Sequence, residues 1–170
     1  MIVHLGSVAL VGLLGVALYL LVRVLPGRAA QISRLAIGPF ALFYAAGEAI
    51  QGVATGVLVE HANDAPADQR PAAADAAQAV YDDTTGEVLI GVGGAAAIVA
   101  LIAAAVAYRQ VPAPLAISIL PGLSAILVLH APPTGPLGLA FLAAAVGILA
   151  WSQGASTAPE DAVVSTPAVG

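Results

Sequence analysis

The side chains of this chain best suited to chemistry stand where it is least expected. Tyr44, Glu48, Gln51 and Thr55 fall three to four residues apart within LFYAAGEAIQGVATGVLV, a stretch otherwise apolar enough to cross a bilayer. At about 100° per residue they share a helical stripe about 60° wide. Beside it Ala45, Ala49, Gly52 and Gly56 form a small-residue face, with Gly52 and Gly56 at the GxxxG spacing that serves close helix packing. Leu42, Phe43, Ile50, Val53 and Val57 occupy the remaining arc, which suits lipid.

A charged carboxylate at the bilayer centre costs on the order of 2.5 to 3.5 kcal/mol on insertion scales. All five basic residues are arginines in loops or at helix ends, so none neutralises Glu48 at this depth. The side chain is therefore expected to face protein or a cavity. Desolvation favours the neutral acid, hydrogen-bonded to Gln51, to Tyr44 or to a backbone carbonyl of a later, kinked helix. Two roles fit. Glu48 is a proton, cation or substrate site in a cavity between the second and fourth helices, or it belongs with Gln51 and Thr55 to a set of interhelical hydrogen bonds.

The three histidines, His4, His61 and His130, are predicted at the outer ends of three helices, near Glu60 and Glu87. Imidazoles and carboxylates there are the candidates for a divalent ion, but their spacing matches no ligand motif and no metal is expected. No cofactor is expected either. Haem would need histidines inside the hydrocarbon, and Gly91-Val92-Gly93-Gly94 lies in an apolar span where glycine serves packing, not a phosphate cradle. Ser118 and Ser124 flank Pro121 without a histidine or lysine placed to activate them, so the chain is not expected to be an enzyme; their hydroxyls suit carbonyls freed by the proline. The acidic residues between Glu60 and Asp83 lack calcium-loop spacing.

Five hydrophobic segments must position these groups, at about 2–22, 35–59, 85–108, 112–130 and 135–152. The first ends at Arg23 and reads as a retained helix, with neither a basic leader region nor a clear cleavage site. The second starts at Leu35, or at Pro39 if Gly38-Pro39 opens it. The third opens on Thr84-Thr85-Gly86-Glu87, which reads as a capping box. Pro121-Gly122 predicts a kink or break in the fourth. Residues 60–84 form an acidic external loop whose PAAADAAQAVYDD portion predicts a short surface helix, and 154–170 read as a disordered cytoplasmic tail behind a membrane domain of 1–153.

Composition agrees with this reading. Hydrophobic residues make up 60% of 170 and charged residues 9%, with a mean hydropathy of +0.97, far from a soluble domain. The long apolar runs lack the period-2 alternation of barrel strands. The expected fold is therefore all-α, a polytopic bundle of five transmembrane helices. Arg23, Arg28, Arg34 and Arg109 fall in loops on one side and Arg70 on the other, which puts the amino terminus outside and the carboxyl terminus in the cytoplasm. The absence of lysine and the abundance of alanine suggest a prokaryotic source. The net charge of −5 leaves no basic surface for nucleic acid. The expected partners are the lipid bilayer of the cell membrane and either a second copy or another membrane protein. The function expected first is a non-enzymatic accessory subunit or homo-oligomeric bundle; a transporter coupled to protons or cations through Glu48 and an external metal-binding protein are the alternatives.

Overall fold

The computed structural model describes residues 2–129 and 134–156, with side chains over 6–128 and 135–152. Every regular element among them is helical. The chain runs through α1 (Ile2–Val22), α2 (Gly27–Asp64), α3 (Arg70–Tyr81), α4 (Thr84–Arg109), α5 (Leu115–Leu123) with a 3-10 extension (Ser124–Leu129), and α6 (Thr134–Ser156). Three stretches are long and apolar enough to cross a membrane: Gly27–Asp64, Arg70–Arg109 and Gly135–Ser152. Gly6–Val22 and Leu115–Val128 are shorter apolar helices. Only 22% of the apolar window in α2 is buried, and Leu13, Leu35 and Leu42 stand 67%, 76% and 66% exposed. An outer surface this apolar is compatible with lipid.

α2 departs from its sequence expectation at both ends. It begins at Gly27, whose φ of 90° requires glycine in the turn out of α1, and it continues through His61 to Asp64. Pro39 does not open the helix but lies inside it. Proline removes one backbone donor and its ring crowds the preceding turn; here the backbone relaxes into a π-helix over Phe40–Tyr44. A second π segment covers Ala49–Ala54, so Glu48 ends a short α-helical stretch, Ala45–Glu48, between two widened turns. The expected external loop is thus largely helix. α2 and α3 meet through a turn in which the Gln69 and Arg70 amides donate to the Pro66 carbonyl.

α4 lies at the centre. It runs antiparallel to α2 along a seam whose positions recur at alternating three- and four-residue steps: Ala30, Ser33, Ile37, Phe40, Tyr44 and Gly47 on α2, and Gly86, Ile90, Gly93, Ala97, Ala100 and Ala104 on α4. That repeat is the one used by helices crossing at a shallow left-handed angle. Small side chains let the backbones approach, and in lipid it is this contact, not hydrophobic burial, that holds helices together. A Cβ on Gly47 would lie 2.5 Å from Ile90 Cγ1 and 2.9 Å from the Ile90 nitrogen. One on Gly93 would fall onto the Tyr44 backbone. At mid-seam the buried Ser33 hydroxyl donates to the Ala100 carbonyl at 2.8 Å.

α1 packs against α2 and also touches α4. Arg34 donates to the Val22 carbonyl at 2.9 Å and the Leu25 carbonyl at 3.0 Å, bracing the turn that leaves α1. The buried Tyr108 hydroxyl donates to Leu21 at 2.5 Å and ties α4 to the same turn. α5 and its extension cover the far side of α4. The α-helix gives way to 3-10 geometry at Ser124, three residues beyond the Pro121 that predicts a break, and the Ser124 hydroxyl donates to the Leu120 carbonyl at 2.7 Å. α6 packs on that extension with Gly138 against the Leu127 backbone, and runs to Ser156, past its expected end at residue 152. Of the expected disordered tail, residues 157–170 lie outside the described residues.

The start of α4 also corrects the sequence reading. Its N-cap is Asp83 and not Thr84, and Asp83 Oδ1 accepts from the Thr85 amide at 2.8 Å. A carboxylate suits a helix amino terminus better than a hydroxyl does, because it also meets the positive end of the helix dipole. The Thr85 side chain and amide hold the Asp83 carboxyl below the usual carboxylate range, against a smaller opposing effect of desolvation. A carboxyl with a depressed folded-state pKa stabilises above its unfolded value of about 3.9 and loses that contribution as pH falls through the folded value. Asp83→Ala is therefore expected to melt below the wild type at neutral pH, and the gap to close under acid conditions. Equal melting temperatures at neutral pH would remove the cap.

Candidate functional site

Glu48 is the most deeply placed carboxyl among the described residues, 9% exposed, and α2 turns it toward α1. The Ser7 hydroxyl donates to Glu48 Oε2 at 2.9 Å, across 41 residues of chain. The expected partners are Gln51, Tyr44 or a carbonyl of the kinked helix; the structure adds a hydroxyl from the first helix. Ser7 and His4 are the polar residues in the first two turns of α1, and the hydroxyl within that apolar run was the available signal for Ser7.

The four side chains of the stripe meet different neighbours. Tyr44 is buried where α2 crosses Gly93 and Gly94 of α4. Gln51 packs its stem over Gly86, where a Cβ would lie 2.5 Å from Gln51 Cγ, and donates to the Tyr81 carbonyl at 3.4 Å. Thr55 lies half-buried, its hydroxyl oxygen enclosed and without a hydrogen-bond partner among the described residues. A stripe about 60° wide thus straddles the boundary between two packed helices, with Glu48 on the α1 side and Tyr44 and Gln51 on the α4 side. Of the packing glycines read from the sequence, Gly52 is buried and Gly56 half-buried. On the α2–α4 seam a Cβ would meet backbone at Gly47 and Gly93, and at Gly86 it would meet the Gln51 side chain.

Next to the Glu48–Ser7 pair the bundle encloses a cavity of about 210 Å³. Ser7 and Tyr44 contribute to one part of its wall, and the rest is apolar: Leu10 and Leu14 of α1, Phe40 of α2, Leu101 of α4, Val128 of the 3-10 turn and Leu142 of α6. The expected cavity between the second and fourth helices is therefore bounded by four helices and the 3-10 turn, with α1 and α6 among them. Chemically this is a hydrocarbon chamber with one hydrogen-bonding corner.

Among the described residues, no three histidine, aspartate or glutamate side chains converge as a metal site would require. His61 is exposed in the last turn of α2. The side chain of His4 and all of His130 lie outside the described residues, so the external metal candidates are not brought together by anything described.

By class, then, the described residues form an all-helical protein with three helices long and apolar enough to cross a membrane and a buried carboxyl whose partner Ser7 lines an apolar cavity. No protein-family model, no curated protein and no solved structure matches it.

Proposed function

We propose that this chain is a small multi-pass protein of the cell membrane, without enzymatic activity, that works as an accessory subunit or as a homo-oligomeric bundle. Five spans cross the bilayer, with the amino terminus outside and the carboxyl terminus in the cytoplasm. In this reading Glu48 is an interhelical fastener. The observation that carries it is the Ser7–Glu48 hydrogen bond, which joins α1 to α2 and gives a buried carboxyl a partner within an apolar bundle. The small-residue seam between α2 and α4 supports the same role, since both devices serve assembly of helices in lipid. Arg23, Arg28, Arg34 and Arg109 gather at one end of the bundle while the acidic hairpin of α2 and α3 forms the other, as the orientation requires.

The chain contains no cysteine, which makes the topology directly testable. A single cysteine in place of Asp75, on α3, is expected to react with a membrane-impermeant maleimide on intact cells. One in place of the exposed Gln31, near the start of α2, is expected to react only after lysis. The opposite pattern would invert the orientation, and labelling of both on intact cells would remove the spanning α2 on which the reading depends.

A second reading is favoured by one specific feature. Glu48 stands between two π segments and beside a cavity, and widened turns of this kind recur at functional sites. In that reading Glu48 exchanges a proton or cation, and the chain is a transporter that reaches a working size by dimerising.

A further inference from the structure

The apolar cavity is lined in part by residues that also reach the outer surface. α1 and α6 both contribute to its wall, and among the described residues the main contacts of each are with other elements, α1 with α2 and α4, α6 with α5 and the 3-10 turn. Leu10 of α1 and Pro136 of α6 line the cavity and are exposed on the outer surface, Leu10 at 42%. Its floor is closed by Leu18, Leu101 and Leu142, all nearly inaccessible. The chamber therefore reaches from the outer apolar surface to an end inside the bundle.

We propose that this chamber is a lateral binding site for a hydrocarbon chain of a membrane lipid, which enters between α1 and α6. The proposal rests on the membrane reading given above. An apolar cavity of about 150 Å³ stays free of water and takes up guests the size of benzene; this chamber is larger, at about 210 Å³. Water gains nothing there, because the wall offers few polar partners, while bilayer chains stand at the mouth at very high local concentration. An empty hollow would forfeit dispersion contacts that an acyl chain restores. The hydroxyl of Ser7 reaches one part of the wall, so an entering chain lies alongside the Ser7–Glu48 pair and its occupancy bears on how α1 sits against α2.

The test uses the full chain reconstituted in dioleoylphosphatidylcholine vesicles that carry a minor fraction of phosphatidylcholine with a diazirine near the end of one acyl chain. After illumination, crosslinks are expected on Leu14, Leu101 and Leu142 as well as on the lipid-facing Leu13. Leu139→Trp, which fills the chamber from α6, is expected to reduce labelling of the inner residues about tenfold, the change produced by removing about 1.4 kcal/mol of binding, while leaving Leu13 unaffected. Leu139→Ala, which enlarges the chamber, is expected to keep or raise it, and covers the case in which the tryptophan variant does not fold. Inner labelling that is absent, or that is the same in Leu139→Trp as in the wild type, overturns the proposal while leaving the membrane reading intact. Release of the chain from membranes by alkaline carbonate overturns both.

Discussion

Gly93→Leu is expected to abolish recovery of folded, monodisperse protein, whereas Gly91→Leu, two residues away on the same helix, is expected to behave as the wild type. The contrast follows from what each position faces. A Cβ on Gly93 would land on the Tyr44 backbone nitrogen and lie 2.7 Å from Tyr44 Cβ and 2.8 Å from its Cα. None of these atoms can swing away as the end of a side chain can, so α2 and α4 would have to separate. Overpacking a tight core typically costs about 1 to 3 kcal/mol and occasionally more. Here the expected cost is at or above the top of that range, because separation also breaks the neighbouring Ser33–Ala100 bond and the contact of Gly47 with Ile90. Gly91 has nothing within 4 Å of its added Cβ and faces outward. Size-exclusion profiles and thermal denaturation in mild detergent would read both variants. A Gly93→Leu protein that elutes and melts like the wild type would remove the seam as the axis of the fold.

Substitutions at Glu48 are expected to separate the two functional readings. Glutamine keeps a carbonyl oxygen where Glu48 Oε2 accepts from Ser7, so Glu48→Gln is expected to assemble normally. Ser7→Ala loses the bond outright, and interhelical hydrogen bonds in membranes are worth about 0.6 kcal/mol on average and about 1.7 at most, a small fall in melting temperature. Glu48→Lys is expected to be severe. It sets an ammonium group in an apolar surrounding, with Ser7 now offering no acceptor of matching charge, at a cost on the order of 2.5 to 3.5 kcal/mol. If the chain is a fastened bundle, Glu48→Gln retains whatever its partner or host cell requires of it. If it is a proton- or cation-coupled transporter, Glu48→Gln assembles normally yet loses coupled uptake in vesicles, because an amide cannot exchange a proton at neutral pH. Loss of assembly in Glu48→Gln would contradict both.

Glu48 shows how far the sequence alone carries. Its burial and its inward direction are legible in AAGEAIQGVATG, since a carboxyl in an apolar run has few acceptable surroundings and helix periodicity restricts which side it takes. Its partner is not legible. Ser7 is 41 residues away, and nothing local states that α1, and not the fifth hydrophobic segment, lies against that side of α2. Gly52 and Gly56 illustrate a related limit. Their spacing is a packing signal, but Gly47 and Gly93 sit where backbones meet most closely, and that choice depends on which face of α2 the neighbouring helix selects. The proline at position 39 misled for a different reason: a rule about strain in an ideal α-helix does not forecast that the backbone will widen into a π turn and continue.

By itself, then, the sequence determined an all-helical chain with long apolar segments, a carboxyl that must be sheltered, and an acidic connection between the second and third segments; each of these follows from local composition and from spacing along one helix. The tertiary structure alone decided that α4 is the central helix, that Asp83 and not Thr84 caps it, that Ser7 donates to Glu48, and that residues of α1, α2, α4 and α6 line an apolar chamber. Those outcomes depend on which faces of separate helices come together. That pairing is set by the fit of glycines and alanines against a partner backbone, which a single helix cannot record.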